Sequence, residues 1–178
     1  MATTKFKGTP VKLAGTEIKV GDSAPSVKLV AKDLSEIKVG GKADTVQVIV
    51  AVPSLDTGVC AAEARRFNSE AAKIEGATVT IVSMDLPFAM GRFCTTEGIA
   101  NLAVGSDFRE KKFSNEYGLL FAEGPLKGIC ARAVFVVNKS GKVVYKELCE
   151  EQTSEPDYEA ALCAINEATS KKRCCKTK

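Results

Sequence analysis

The sequence contains no histidine and no tryptophan. Without imidazole, Ser-His-Asp and Cys-His nucleophilic catalysis, histidine-ligated metal sites and a histidine general base are all excluded. Chemistry is left to cysteine, carboxylate, hydroxyl, lysine and arginine. No apolar stretch approaches the ~18 residues of a membrane span, so no membrane association is expected. Residues 1–19 hold no apolar run of the ~7 residues that a signal peptide needs, which makes a cytoplasmic protein the expectation. No Gly-rich phosphate loop follows any strand-like run, so no nucleotide site is indicated. There is no C-x-x-C and no pair of cysteines at zinc-ligand spacing, so neither a structural metal nor a disulfide framework is expected.

What is present is ordinary globular material: 178 residues, 45% hydrophobic and 26% charged. That length suggests one domain with a sizeable core. The net charge of +3 is misplaced as a clue to partners. Lys171, Lys172, Arg173, Lys176 and Lys178 put +5 on the last eight residues, leaving −2 for the rest. A slightly acidic body argues against nucleic-acid binding, which needs a basic patch on the folded surface. The expected organisation is one domain over residues 1–170 and a basic, disordered tail over 171–178.

Hydrophobic periodicity supplies the elements. Val11–Leu13 and Thr16–Val20 alternate around Gly15 and read as a small hairpin. Val27–Val30 reads as a short strand, and Thr45–Val52 as a strand buried on both faces. From Thr57 the period changes: Cys60, Ala64, Phe67, Ala71 and Ile74 form the stripe of a helix packed on a sheet, with Asp56 or Thr57 as N-cap. Gly76 ends it, and Ala77–Val82 is the next buried strand. A helix over Phe88–Glu97, a strand near Leu102–Val104 and a polar helix over Phe108–Tyr117 follow. Ala131–Val137 and Lys142–Leu148 make a hairpin around Asn138–Gly141, and Pro156–Ser170 closes the chain as a helix. Alternating strands and helices of this kind make an α/β protein with a central mixed β-sheet flanked by helices and an N-terminal β-hairpin.

The chain has seven cysteines: Cys60, Cys94, Cys130, Cys149, Cys163, Cys174 and Cys175. Cys60 falls in the first turn of a helix, where free N–H groups and the positive dipole end favour a thiolate. It also belongs to the apolar stripe, so a small core residue is an equal reading. Arg132 sits among apolar residues and, if buried, needs an anion. That anion is either a thiolate at a helix N-terminus or a carboxylate at an edge.

Pro53-Ser-Leu-Asp-Thr57-Gly-Val-Cys60 closely resembles the active-site segment of peroxiredoxins: Pro, three residues, Thr, two residues, Cys. The surrounding segments resemble the thiol peroxidase subfamily: Phe6–Val11, Ala31–Ser35, Met84–Ala89, Arg92–Cys94, Gly124–Gly128, Ala131–Ala133 and Glu155–Tyr158. The resemblance runs from about residue 5 to 168; the tail beyond it and Cys130 are foreign to the pattern. It implies a thioredoxin-like fold, with Cys60 as peroxidatic and Cys94 as resolving cysteine, joined by an intramolecular disulfide. By position, Thr57 would hydrogen-bond the thiolate and the peroxide, Pro53 would shield the site, and Arg132 would hold the thiolate and polarise the O–O bond. The resemblance further implies hydrogen peroxide and organic hydroperoxides as substrates, thioredoxin as reductant, a homodimer, and no metal, haem or flavin. Such chemistry needs a stabilised thiolate and donors aimed at the leaving oxygen, and no external base, which suits a chain without histidine.

Phe88, Met90 and Phe93 read as core or interface residues, with an apolar lining for organic hydroperoxides as the second reading. Cys130, Cys149 and Cys163 read as small packing residues. Cys130, two positions before Arg132, would share its face and could take an auxiliary redox role. The alternative function is a redox sensor or chaperone-like protein of the same fold, signalling through the same disulfide. A thioredoxin-type dithiol isomerase is disfavoured because C-x-x-C is missing. A disulfide needs Cα atoms within about 7 Å. Two helix-borne cysteines 34 positions apart are therefore expected to need local unwinding before they pair.

Overall fold

A computed structural model describes residues 2–169; the basic tail and Cys174-Cys175 lie outside the described residues. The elements in chain order are β1 (Thr3–Phe6), β2 (Thr9–Ala14), β3 (Val27–Ala31), β4 (Glu36–Val39) and β5 (Val46–Ala51). They continue as α1 (Gly58–Ala71), β6 (Ala77–Ser83), α2 (Pro87–Glu97), β7 (Ala103–Ser106) and α3 (Lys112–Glu116). The last are β8 (Leu120–Phe121), β9 (Ala133–Val137), β10 (Val143–Leu148) and α4 (Tyr158–Thr169).

Seven strands form the central sheet in the order β10-β9-β5-β6-β7-β3-β4. Only β5–β6 and β6–β7 pair in parallel, so the sheet is mixed as expected. Every residue of β5 is buried, which is why its sequence reads as one apolar run. Its alternating side chains feed two cores. Val46, Val48 and Val50 pack with α1, α2 and α4 on one face. Ile49 and Ala51 pack with α3, β2 and β8 on the other.

Two sequence expectations are corrected, and two strands appear that the sequence did not announce. The N-terminal hairpin exists, but it is β1–β2, turning at Lys7-Gly8, and residues 16–20 form no strand. Both turn residues have positive φ, 51° and 77°, which matches the twist of a two-residue hairpin. Gly15 serves a different end. At φ 97° it lets the backbone press against Asn115, where any Cβ would collide with the carbonyl oxygen. The free edge of β2 is then taken by β8, an unforeseen two-residue strand. The polar helix expected from Phe108 shrinks to Lys112–Glu116, because Lys111 adopts a left-handed φ of 51° and interrupts it. The Asp107 carboxylate accepts the N–H groups of Phe113 and Ser114 and starts the helix late. Finally, β4 was not foreseen in the polar run after Ser35.

Candidate active site

The loop from β5 into the first turn of α1 holds Pro53, Thr57 and Cys60, and a chain of hydrogen bonds fixes its shape. Val52 extends the parallel pairing through its N–H to Val82 O, 2.9 Å. Pro53 follows, buried and without a donor. Ser54 Oγ donates to Asp85 Oδ1 at 2.7 Å and Leu55 N–H to Asp85 Oδ2 at 2.8 Å. Thr57 is then held by the Ser54 carbonyl, which accepts from its N–H at 3.2 Å and from its hydroxyl at 3.0 Å. Of the two N-cap candidates it is Thr57 that caps: its Oγ1 accepts the Cys60 N–H at 3.4 Å. The hydroxyl's single proton goes to Ser54, so its contact with Cys60 here is through the amide rather than the sulfur.

Cys60 is fully buried, and Arg132 Nη2 donates to its Sγ at 3.2 Å. Arg132 is 2% exposed and lies just before β9 rather than within it. Nη1 donates to Glu63 Oε2 in a buried ion pair. Nε and Nη2 both donate to Gln152 O at 3.3 Å. The thiol and the carboxylate readings of its partner therefore hold together. The carboxylate is not at an edge: Glu63 is one turn beyond Cys60 on the buried face of α1, with 0% exposure.

Glu63 carries strain of an electrostatic kind. Burial pushes its carboxyl up to about 7 against the pull of Arg132, with Glu147 and Glu155 adding to the push. Its Oε1 has no hydrogen-bond partner. On Arg132, burial works against the charge, but Glu63 and Cys60 outweigh it and raise the guanidinium further. Gln152 completes the cage. Its Oε1 accepts the Arg132 N–H, and its Nε2 donates to Thr4 Oγ1 and Cys149 O, both at 3.0 Å. Sequence reading missed Glu63, Gln152 and Asp85. Only Glu63 left a signal, since i+3 from Cys60 falls on the same helix face as Phe67 at i+7.

Cys94 sits in the buried side of α2, 4% exposed, its thiol raised by burial with Lys32 opposing. Cys60 and Cys94 belong to one hydrophobic cluster, and both are free thiols. The proposed lining is split. Phe88 is 69% exposed, whereas Met90 is wholly buried and Phe93 nearly so, in the core beside Cys94. The three form no common wall, because α2 turns Phe88 away from the sheet and the other two toward it. Cys130 does not share the face of Arg132. Both Cys130 and Ala131 belong to the opposite core, because the chain there makes an isolated bridge to Leu120 instead of a regular pleat. Burial pushes the Cys130 thiol up to about 12. Cys149 is also buried and raised to about 12, first by burial and then by Glu147. Its N–H donates to Arg132 O. Cys163 is half-buried on α4.

The arrangement places one sulfur at a helix start beside a guanidinium held from three sides. It can stabilise an anionic nucleophile and offer donors to an oxygen leaving with negative charge. Among the described residues no three His, Cys, Asp or Glu side chains group to hold a metal. No helix among them is long and apolar enough to cross a membrane.

Comparison with known proteins gives one consistent pattern. The Redoxin family model matches residues 19–162. A thiol peroxidase of Campylobacter jejuni is 59% identical over 157 residues, covering 88% of this chain and 89% of that protein. A thiol peroxidase of Aquifex aeolicus is 53% identical, covering 93% of this chain and 97% of its own length. The crystal structure of a peroxiredoxin-like protein from Aquifex aeolicus superposes with a TM-score of 0.91 at 52% identity, covering 93% of this chain and 96% of that one. A thiol peroxidase from Chromobacterium violaceum, 21% identical, covers 93% of this chain and 95% of its own with a TM-score of 0.83, and so shares the fold.

Proposed function

Because this chain belongs to the redoxin family, and within it to the thiol peroxidase group of the peroxiredoxins, we propose that it reduces hydroperoxides through Cys60. The fold is the thioredoxin-like one of its structural neighbours. The observation that carries the reading is the 3.2 Å hydrogen bond from Arg132 Nη2 to the buried Cys60 Sγ at a capped helix start.

The Cys60 thiolate attacks the nearer peroxide oxygen. The S–O bond forms as the O–O bond breaks, leaving a sulfenic acid and an alkoxide or hydroxide that takes a proton to become alcohol or water. Arg132 is the donor placed for the charge that develops on the leaving oxygen. Pro53 shields the sulfur from water, and Thr57 holds the helix start that presents it. The Cys94 thiol then attacks the sulfenic sulfur, forming a Cys60–Cys94 disulfide and expelling water. A thioredoxin dithiol supplies the two electrons and two protons that restore both thiols. A homodimer fits the exposed Leu86 and Phe88 at the start of α2. The test is NADPH consumption with hydrogen peroxide, thioredoxin and its reductase. Sustained turnover that vanishes in Cys60→Ser is expected; turnover retained in Cys60→Ser overturns the reading.

A further inference from the structure

The Asp85 side chain ties the Cys60 segment to the Cys94 segment. It lies between β6 and α2, one residue before the Leu86 N-cap of the helix that carries Cys94. Its carboxylate accepts from Ser54 Oγ and Leu55 N–H in the Cys60 loop, and from Ser83 Oγ at the end of β6, 2.6 Å. Its backbone is pinned as well: the N–H donates to Ser83 Oγ at 3.1 Å, and the carbonyl accepts from Ser106 Oγ at the end of β7. Asp85 is therefore fixed to the sheet, while the Cys60 loop hangs on it. The bonds then run without a gap: Asp85 to Ser54, Ser54 O to Thr57, Thr57 Oγ1 to the Cys60 N–H.

Two further polar links join the same segments, Arg92–Asp56 at 3.8 Å and Arg65–Glu97 at 2.7 Å. Arg92 and Asp56 are both exposed, and Arg65 is exposed opposite a half-buried Glu97; surface pairs of this kind contribute little. The Asp85 bonds are part-buried and charge-assisted, hence stronger. Cys60 lies in the first turn of α1 and Cys94 within α2, so a disulfide between them is expected to need one or both segments to shift, whereas peroxide attack needs the Cys60 loop in place. One side chain thus opposes the second step while supporting the first.

We propose that Asp85 is a positioning residue that latches the Cys60 loop in its peroxide-reactive form and must release it for the Cys60–Cys94 disulfide to close. The proposal rests on the two-cysteine reading above. It gives the enzyme a stored partition: a tighter latch favours sulfenic-acid formation and leaves that acid longer exposed to a second peroxide, which would convert it to a sulfinic acid with release of water or alcohol.

The experiment compares wild type, Asp85→Asn and Ser54→Ala as full-length reduced enzymes mixed rapidly with hydrogen peroxide. Samples are quenched with a thiol-blocking reagent, and Cys60 is mapped by mass spectrometry as thiol, disulfide or sulfinic acid. Asp85→Asn is expected to slow loss of the Cys60 thiol about tenfold, the equivalent of one charge-assisted bond. It should also close the disulfide faster than wild type and form less sulfinic acid in excess peroxide. Ser54→Ala keeps the Leu55 bond and should move the steps in the same directions by less. If both steps slow together, or neither changes, Asp85 is a purely structural residue and the latch is wrong. If wild type itself forms no Cys60–Cys94 disulfide, the two-cysteine reading fails, whatever Asp85 does.

Discussion

Cys60 and Cys130 are both wholly buried, yet they lie in the opposite cores of one sheet and meet different company. Cys60 has a helix start, a capping threonine and a guanidinium at 3.2 Å. Cys130 has Ser114 and apolar side chains, with the Asp107 carboxylate nearby as a further obstacle to ionisation, and its thiol is driven up to about 12. Burial is common to both, so burial decides nothing about reactivity. The donors imported from distant parts of the chain decide it. Substitution can therefore break the comparison at the sulfur, at the cation, at the counter-anion and at the cap, in decreasing order of effect.

At the sulfur the expected contrast is complete. Cys60→Ser should abolish peroxide reduction, because a serine hydroxyl is not ionised near neutral pH. Cys130→Ala, Cys149→Ala and Cys163→Ala should leave turnover nearly intact, with Cys130→Ala costing about 1 kcal/mol of stability. Coupled NADPH assays and urea melts measure the two quantities. A large loss of turnover in any of the three alanine variants would mean that the protein carries a second reactive thiol.

At the cation, Arg132→Ala removes the donor to Cys60 and leaves the wholly buried Glu63 without a counter-charge. Removing one partner of a buried pair typically costs about 3–5 kcal/mol. Unfolding free energy and the rate of Cys60 oxidation should fall together. Arg132→Lys should recover part of the stability and little of the rate, since a point ammonium cannot serve Cys60, Glu63 and Gln152 O at once.

The parts of this site that could be read in the chain were the local ones. Pro53, Thr57 and Cys60 lie within eight positions, and the stripe Cys60, Ala64, Phe67 and Ala71 exposes its own helix, which ends at Ala71, short of Ile74. β5 and β9 announce themselves because both their faces are buried. What could not be read depends on pairing across the chain. Gln152 reaches Arg132 across 20 residues, and Asp85 reaches Ser54 across 31; neither carries a periodic signal. Cys130 misleads for the same reason. Strand alternation puts it on the face of Arg132, but its bridge to Leu120 breaks the pleat before β9 begins. Gly15 misleads as a hairpin turn because a glycine needed for close backbone approach looks the same in sequence as one needed for a turn.

At the counter-anion the effect is a pH dependence. The Glu63 carboxyl is raised from 4.5 to about 7 in the folded protein, chiefly by burial. The folded state therefore holds its proton more tightly than the unfolded chain. The resulting stability is complete below about 4.5 and is lost as pH rises through about 7. An interval of that size corresponds to ~3 kcal/mol once the carboxyl is ionised. Urea midpoints of wild type should decline across this window. In Glu63→Gln that component should be flat, and an unchanged slope would mean that Glu63 stays ionised beside Arg132 throughout.

The cap carries the smallest effect, and it separates holding the helix from touching the sulfur. Thr57 Oγ1 accepts the Cys60 N–H and its hydroxyl proton goes to Ser54 O, so it joins the loop to the helix by two bonds. Thr57→Val keeps the shape and removes both. Loss of an N-cap costs about 1 kcal/mol, and the opening should be local, confined to Gly58–Cys60. Thr57→Ser restores the oxygen and should restore both amide protection there and the rate of Cys60 oxidation. Amide exchange in the reduced protein checks this, with β5 as the internal standard because its buried strand should not change. If Thr57→Val loses rate without losing protection at Gly58–Cys60, the hydroxyl acts on the peroxide or the sulfur directly, and the capping bond seen here is secondary.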